Sequence, residues 1–518
     1  MTISRMRRFL SEEARATGLP VTALLLGAVA LHLTVTLLAV NPWHPDEHFQ
    51  ILEFAWARAG RSSVTDLPWE FAAKIRPTLQ PTLALGLLKA LESVGLTSPY
   101  AWTLSLRLGT LALAFVVLLH VVRHVSPKMT RAGRQVLWLA SLFLWFAPLF
   151  TSRFTSENLG GLALAAALPL VEDDRGGRRD AVIAVLLGLS FVARFQMAFA
   201  VAALLLWIAK YCGGWTRATR IGIGATAVVG VGSMVDRWFY HAWVFTPWEY
   251  FRANITEGVA TGFGASPWYA YVAWAPLWMV PPLGLAIVAL LLFGVTSRRD
   301  SPWTWTLVAF VAGHSLIAHK ELRFLFPLLY FLPVLVAVGW EGLERKTRAA
   351  PWRRLVAWSL VTQNAVMALL LVTPSIHRGK DFDWHYYRFL WNTAEARAGE
   401  NLFVLQEQGR PYLAEDLEVS VYRHPRVRAI DYMTGDSIDD LMPGEARRGA
   451  LLIMAGSAEL PAIGGVEHYE LAYEAEPGYR VMARWVGAED SGFIKRLESA
   501  DRWTNSQRIR RVYHVRGP

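Results

Sequence analysis

Val21-Thr-Ala-Leu-Leu-Leu-Gly-Ala-Val-Ala-Leu-His-Leu-Thr-Val-Thr-Leu-Leu-Ala-Val40 is followed without a break by Asn41-Pro-Trp-His-Pro-Asp-Glu-His-Phe-Gln50. The first run is about 20 residues, enough to cross a bilayer as a helix. The decapeptide changes character at once, with two prolines, two acids and two histidines. Pro45 followed by Asp46 and Glu47 reads as a helix start, proline in the first turn and acids against the positive end of the helix dipole. A regular helix from there puts Asp46, Gln50 and Glu53 on one face. Two readings stay open on this stretch alone: a carboxylate-lined face that does chemistry, or acids that merely cap a surface helix.

The rest of the chain sets the context. Of its 518 residues 53% are hydrophobic and 23 are tryptophan, above the roughly 45–50% apolar usual for soluble domains. The excess lies in long blocks, roughly 21–40, 100–122, 135–151, 158–171, 181–193, 197–211, 219–235, 272–294, 303–318, 324–340 and 354–373. The expected fold class is therefore an all-α polytopic membrane protein of about eleven spans, some of the short ones tilted or re-entrant. The stretch 80–96 is amphipathic and charged and reads as interfacial. Met1 to Arg8 is basic, and the run after it reads as an uncleaved first span rather than a signal peptide.

Charge orders the loops. The basic clusters around 123–134, 175–179, 210–220, 298–299 and 345–354 fall in alternate loops, the positive-inside pattern. The opposite loops carry mixed polar groups: His44 to Glu47, Ser152 to Asn158 with Arg153, Arg194, Asp236 to Tyr240, and His319-Lys-Glu-Leu-Arg-Phe324. A net charge of +10 is explained by the cytoplasmic loops, so nucleic acid is not an expected partner. The single Cys212 excludes an intramolecular disulfide and a cysteine metal site. Residues 241–271 form a Trp, Tyr, Gly and Pro-rich outside loop, either an interfacial anchor or a platform for a sugar or lipid. After Thr373 the long apolar blocks stop. Short runs at 402–405, 427–430 and 451–454 read as strands of a small extracytoplasmic α/β domain. The expected division is a catalytic membrane domain over 1–373, its first external loop at 41–99, and a C-terminal domain over 374–518.

Polar clusters at one membrane face suit an enzyme acting on lipid-borne substrates better than a transporter, which places ionisable groups near the bilayer midplane. Outside the cytoplasm no nucleotide sugar is available, so a glycosyl donor must carry its own activation, as a polyprenyl-phosphate sugar does. Such a transfer needs a carboxylate to take the acceptor proton and cations to hold the leaving phosphate. Asp46 and Glu47 are the candidates for the first role. Lys320, Arg323, His319, Arg153 and Arg194 are candidates for the second, Lys320 and Arg323 facing one ligand at i and i+3; Arg76 is a weaker one. For each cation the alternative is an interfacial anchor or ion-pair partner.

His44-Pro-Asp-Glu-His-Phe-Gln50 and His319-Lys-Glu-Leu-Arg-Phe-Leu-Phe-Pro327, with Asp236-Arg-Trp-Phe-Tyr240 and Gly262-Phe-Gly-Ala-Ser-Pro-Trp268, resemble glycosyltransferase family 22. These are mannosyltransferases of GPI-anchor and N-glycan assembly within the GT-C superfamily, and the resemblance runs in order over roughly 20–370. It implies a GT-C fold and inverting transfer of a sugar, classically mannose, from a polyprenyl-phosphate donor to a hydroxyl of a lipid-linked or cell-envelope glycan. It implies Asp46 as base, Glu47 as its support or an acceptor ligand, and His319, Lys320 and Arg323 near the donor phosphate. His44, Gln50, Arg76, Asp236 and Trp268 are then expected to touch substrate. The implied setting is a bacterial inner membrane with the active site facing outward. No cofactor is implied; a divalent metal is compatible with the acids and histidines but replaceable by the cations. Arg237 after Asp236 departs from the family pattern, as does the lack of a family-type glycine after Tyr240. Sugar and acceptor are open on that account, with arabinose, glucose or galactose transfer and lipid-glycan transport as the competing readings.

Overall fold

In a computed structural model the first apolar run is the helix Val21–Leu38, ending where Pro42 constrains the residue before it. The structure describes residues 3–172, 176–347, 352–373, 384–397, 399–407, 419–433, 436–442, 450–455, 463, 466–474 and 510–516. Parts of two basic loops, 173–175 and 348–351, lie outside the described residues. The chain divides into two compact units. One comprises Met1–Leu37, Glu70–Leu96 and Trp102–Val372; the other comprises Leu38–Trp69, Thr97–Ala101 and Thr373–Pro518. The first external loop therefore does not go whole with the membrane helices: most of its first half belongs with the C-terminal residues.

The first unit is helical. Among the described residues three helices are long and apolar enough to span a membrane, Val21–Leu38, Pro99–Val125 (continued by a 3-10 turn to Lys128) and Gly214–Tyr240. The bent pair Leu322–Tyr330 and Leu332–Lys346, meeting at 69°, makes up to four, and shorter apolar helices include Ser156–Val171 and Leu283–Ser297. This is an integral membrane protein.

Several expected spans are broken, each at an identifiable residue. The block at 272–294 is two helices, Ala270–Trp278 and Leu283–Ser297, interrupted at Pro281 and Pro282, which have no N–H to donate. The block at 135–151 ends as a helix at Phe143 and resumes at Ala147 with Pro148 in the first turn. Between Arg178–Ala193 and the next helix, Arg194 is extended (φ −153°, ψ 115°). Leu283–Ser297 and Leu332–Lys346 cross where Gly294 and Gly339 meet. A Cβ on Gly294 would overlap the Leu335 carbonyl, and one on Gly339 the Leu290 carbonyl; small residues allow this approach where lipid offers no hydrophobic drive.

The second unit carries a five-stranded sheet. Its strands are β1 (Leu402–Glu407), β2 (Val427–Tyr432), β3 (Leu451–Ala455), β4 (His468–Glu474) and β5 (Arg510–Arg516). Their order is β2-β1-β3-β5-β4, with β1 parallel to β2 and β3, and β5 antiparallel to β3 and β4. The three mutually parallel strands are the three apolar runs of the sequence. Leu405, Tyr432, Ile438, Met442, Leu452 and Val515 form its core. The helix Trp384–Glu395 precedes it.

Candidate active-site residues

The helix start expected at Pro45 is there, as a short turn Pro45–Glu47. His44 caps it: its Nδ1 accepts from the Asp46 N–H at 3.2 Å. Glu47 answers in the other direction, its carboxylate accepting from the Trp43 N–H at 3.0 Å. The arrangement works like a capping box and commits the Glu47 side chain to the turn. The Asp46 side chain stays 26% exposed.

The expected common face of Asp46, Gln50 and Glu53 does not form. Residues His48–Leu52 make a π turn before the helix Glu53–Arg58 begins. One extra residue in the turn slips everything after it by about 100°. Glu53 is consequently buried at 1% exposure, while Gln50 is half-buried within the turn.

The cations gather in the first unit around two acids. Thr155 caps the helix Ser156–Val171, and Glu157 sits in its first turn, where the dipole favours a carboxylate. Glu157 Oε1 accepts from Arg194 Nη1 at 2.8 Å and lies 3.7 Å from Arg323 Nη1. Arg323 opens the 3-10 helix Leu322–Tyr330 and makes a two-pronged contact with Glu321, Nε at 2.5 Å and Nη2 at 3.1 Å. His319 Nε2 meets the same Glu321 at 2.9 Å and its Nδ1 meets the Gly264 carbonyl at 3.0 Å. The Phe324 ring lies 4.9 Å from the Arg194 guanidinium and 5.2 Å from that of Arg323.

Lys320 departs from expectation. It precedes the 3-10 helix, so it shares no helical face with Arg323. Its ammonium donates to the carbonyls of Ser266 (3.0 Å) and Ile317, and desolvation pulls it below the ordinary lysine value. Its role in the structure is to tie residues 317–320 to the aromatic loop, alongside the Ser266 N–H to Ala318 bond of 2.9 Å.

Arg194 is 5% exposed, and its Nε and Nη2 have no hydrogen-bond partner among the described residues; nor does His314 Nε2, while the Tyr271 hydroxyl has the Glu321 backbone beside it. Both side chains lie within electrostatic reach of Arg194. Tyr271 also lines an apolar cavity of about 600 Å³, with Trp278, Leu291, Leu307, Phe326 and, 70% exposed, Trp268.

Three remaining candidates serve elsewhere. Arg153 is buried and donates from Nε to the Leu149 carbonyl at 3.2 Å. Asp236 is buried; its carboxylate takes the Thr78 N–H and hydroxyl at 2.8 and 2.6 Å and the Thr246 hydroxyl at 2.6 Å. That makes it a tie between two loops rather than an open ligand. Arg76 pairs with Glu70 at 3.4 Å, and its carbonyl accepts from Tyr240 at 2.8 Å. Sequence reading had no role for Glu157, His314 and Tyr271, because nothing local distinguishes them; the cations beside Glu157 are 37 and 166 residues away, and Arg194, which His314 and Tyr271 approach, belongs to another segment. Among the described residues no three His, Cys, Asp or Glu are grouped to hold a metal ion.

Residues 23–380 match the Alg9-like mannosyltransferase family. Among individual relatives, GPI alpha-1,2-mannosyltransferase 3 of Xenopus laevis is 24% identical over 370 residues, covering 69% of this chain and 66% of the frog protein. The Danio rerio protein of that name is 31% identical over 150 residues, 28% of this chain and 26% of the fish protein. The chain thus spans less than two thirds of either relative. In fold it resembles ArnT from Cupriavidus metallidurans, solved bound to undecaprenyl phosphate, with a TM-score of 0.50 at 12% identity over 84% of this chain and 93% of ArnT.

Proposed function

The chain belongs to the Alg9-like mannosyltransferase family, and on that premise we propose that it transfers mannose from a polyprenyl-phosphate donor to a hydroxyl of a lipid-linked or envelope glycan. The reaction lies on the non-cytoplasmic face of the membrane, where the donor brings its own activation. The acceptor oxygen attacks the anomeric carbon as the bond from that carbon to the phosphate oxygen breaks. The acceptor proton goes to a carboxylate and polyprenyl phosphate leaves, with inversion.

The observation that carries this reading is the buried Arg194. Its Nε and Nη2, without a partner among the described residues, are donors suited to phosphoryl oxygens, and the Tyr271 side chain lies within electrostatic reach of them. Tyr271 is also part of the lining of the 600 Å³ apolar cavity, whose walls suit a prenyl chain. The fold's resemblance to a protein solved with undecaprenyl phosphate points the same way. We assign Arg194 and Arg323 to the donor phosphate, with Lys320 and His319 holding the loop that faces it. Asp46 is the base, because Glu47 is committed to capping its turn. Charge development on the leaving phosphate is met by these cations.

The test uses the purified chain in liposomes with polyprenyl-phosphate mannose and a membrane-lipid extract as acceptor, following release of polyprenyl phosphate. Wild type turns over, and Asp46→Asn loses roughly 100- to 10,000-fold in rate, as for a missing general base. Undiminished turnover in Asp46→Asn would remove Asp46 from the role and move it to Glu47. Turnover with another polyprenyl-phosphate sugar but not with mannose would correct the donor.

A further inference from the structure

Glu53 is a buried carboxylate that the transfer reaction as described does not use. Its Oε1 accepts from three donors: His48 Nε2 at 2.7 Å, the Ser420 N–H at 2.8 Å and the Val421 N–H at 3.1 Å. Both side chains of the His48–Glu53 pair are 2% exposed. The His48 ring stacks on Tyr422 at 5.5 Å and 21°, and Tyr422 stacks on Tyr100 at 5.1 Å and 26°. Trp384 meets Tyr100 edge-on at 4.9 Å, and its backbone N–H donates to Asn41 Oδ1 at 2.9 Å. Residues 384 and 420–422 therefore grip the segment 41–53 at both ends, with Asp46 between the grips.

The π turn His48–Leu52 explains how one short helix serves two purposes. In a regular helix Asp46 and Glu53 would share a face, both buried or both open. The extra residue turns Glu53 inward to the 420–421 amides and leaves Asp46 partly exposed. A carboxylate is kept buried only where charge and hydrogen bonds compensate it, and here two of the three donors are backbone amides of the C-terminal part of the chain. We propose that Glu53 is a positioning residue, through which the C-terminal domain sets the rotation of the Asp46–Glu47 turn. This rests on the reading of Asp46 as base, since rotation matters only if a group there must be aimed.

The experiment takes the full chain in liposomes as wild type, Glu53→Ala and Glu53→Gln. Gln keeps an acceptor oxygen at the same reach but loses the charge. Amide exchange is read at residues 45–53 and 420–422, and kcat and donor KM with polyprenyl-phosphate mannose. In Glu53→Ala, exchange rises in both segments and kcat falls roughly 10- to 100-fold, the cost of a misplaced catalytic group. Donor KM stays within about twofold, since ground-state binding is untouched. Glu53→Gln recovers most of both. Unchanged exchange in Glu53→Ala would refute the clasp whatever the activity. Raised exchange with unchanged kcat, or a loss wholly in KM, would refute positioning. If Glu53→Ala fails to fold, Glu53→Asp, which keeps the charge but shortens the reach by one methylene, decides by the same two readouts: raised exchange with a kcat loss supports the proposal, and kcat lost without raised exchange, or raised exchange with unchanged kcat, overturns it. No turnover by wild type would sink the proposed reaction, and with it the aiming role, while exchange would still decide whether the clasp exists.

Discussion

Removing Glu157 should destabilise the membrane unit by more than an ordinary surface carboxylate would. Glu157 lies 2.8 Å from Arg194 and 3.7 Å from Arg323, and the Glu157 and Arg194 side chains are 6% and 5% exposed. At an effective dielectric of about 20 these separations correspond to gross attractions of about 6 and 4.5 kcal/mol. Desolvation of the buried charges offsets much of that, so the pair as a whole contributes little. Taking away one partner is different, because Arg194 would remain buried with only the Ser156 hydroxyl at 3.2 Å from its previous set of bonds. Glu157→Ala should therefore cost about 3–5 kcal/mol. The assay is unfolding by SDS in mixed micelles followed by tryptophan fluorescence, in a cycle with Arg194→Met and the double variant Glu157→Ala/Arg194→Met. The double should lose less than the sum of the singles by about 2 kcal/mol, since it leaves no uncompensated charge. A Glu157→Ala protein within about 1 kcal/mol of wild type, or a strictly additive double, would refute the reasoning.

Two further outcomes follow from the packing of the same unit. Gly339→Leu should destabilise by about 1–3 kcal/mol or more, because its side chain meets the Leu290 carbonyl. Gly230→Leu, with nothing within 4 Å of its added carbon, should be close to neutral in the same unfolding assay. Asp236→Ala should cost about 1–3 kcal/mol by stranding the Thr78 amide among its three donors, and Asp236→Asn should cost less; a neutral Asp236→Ala would show that water replaces the carboxylate there.

Local features were legible before any tertiary contact was known. The helix start at Pro45, the membrane helices at 21–38 and 214–240 and the three parallel strands all follow from hydropathy and turn chemistry within a few residues. The family followed from two short motifs read together, His44 to Gln50 and His319 to Pro327. Proline positions also carried the breaks at 281–282 and 148, although long apolar runs masked them.

The pairing of distant groups was not legible. Hydropathy ranks residues by their own chemistry, whereas the environment of a carboxylate depends on which donors the fold carries to it. Glu157 reads as the acid of a helix cap until Arg194 and Arg323 arrive from segments 37 and 166 positions away. Glu53 reads as the third member of an acidic face until the π turn rotates it. What decides its place is a pair of amides 367 and 368 positions later in the chain, and no period in the sequence encodes a contact of that span. The sequence by itself determined a helical membrane enzyme family with an acidic first loop. Only the tertiary structure decided which acid is exposed, which is buried and which cations have donors to spare, because each of these depends on backbone geometry and on partners supplied from other helices.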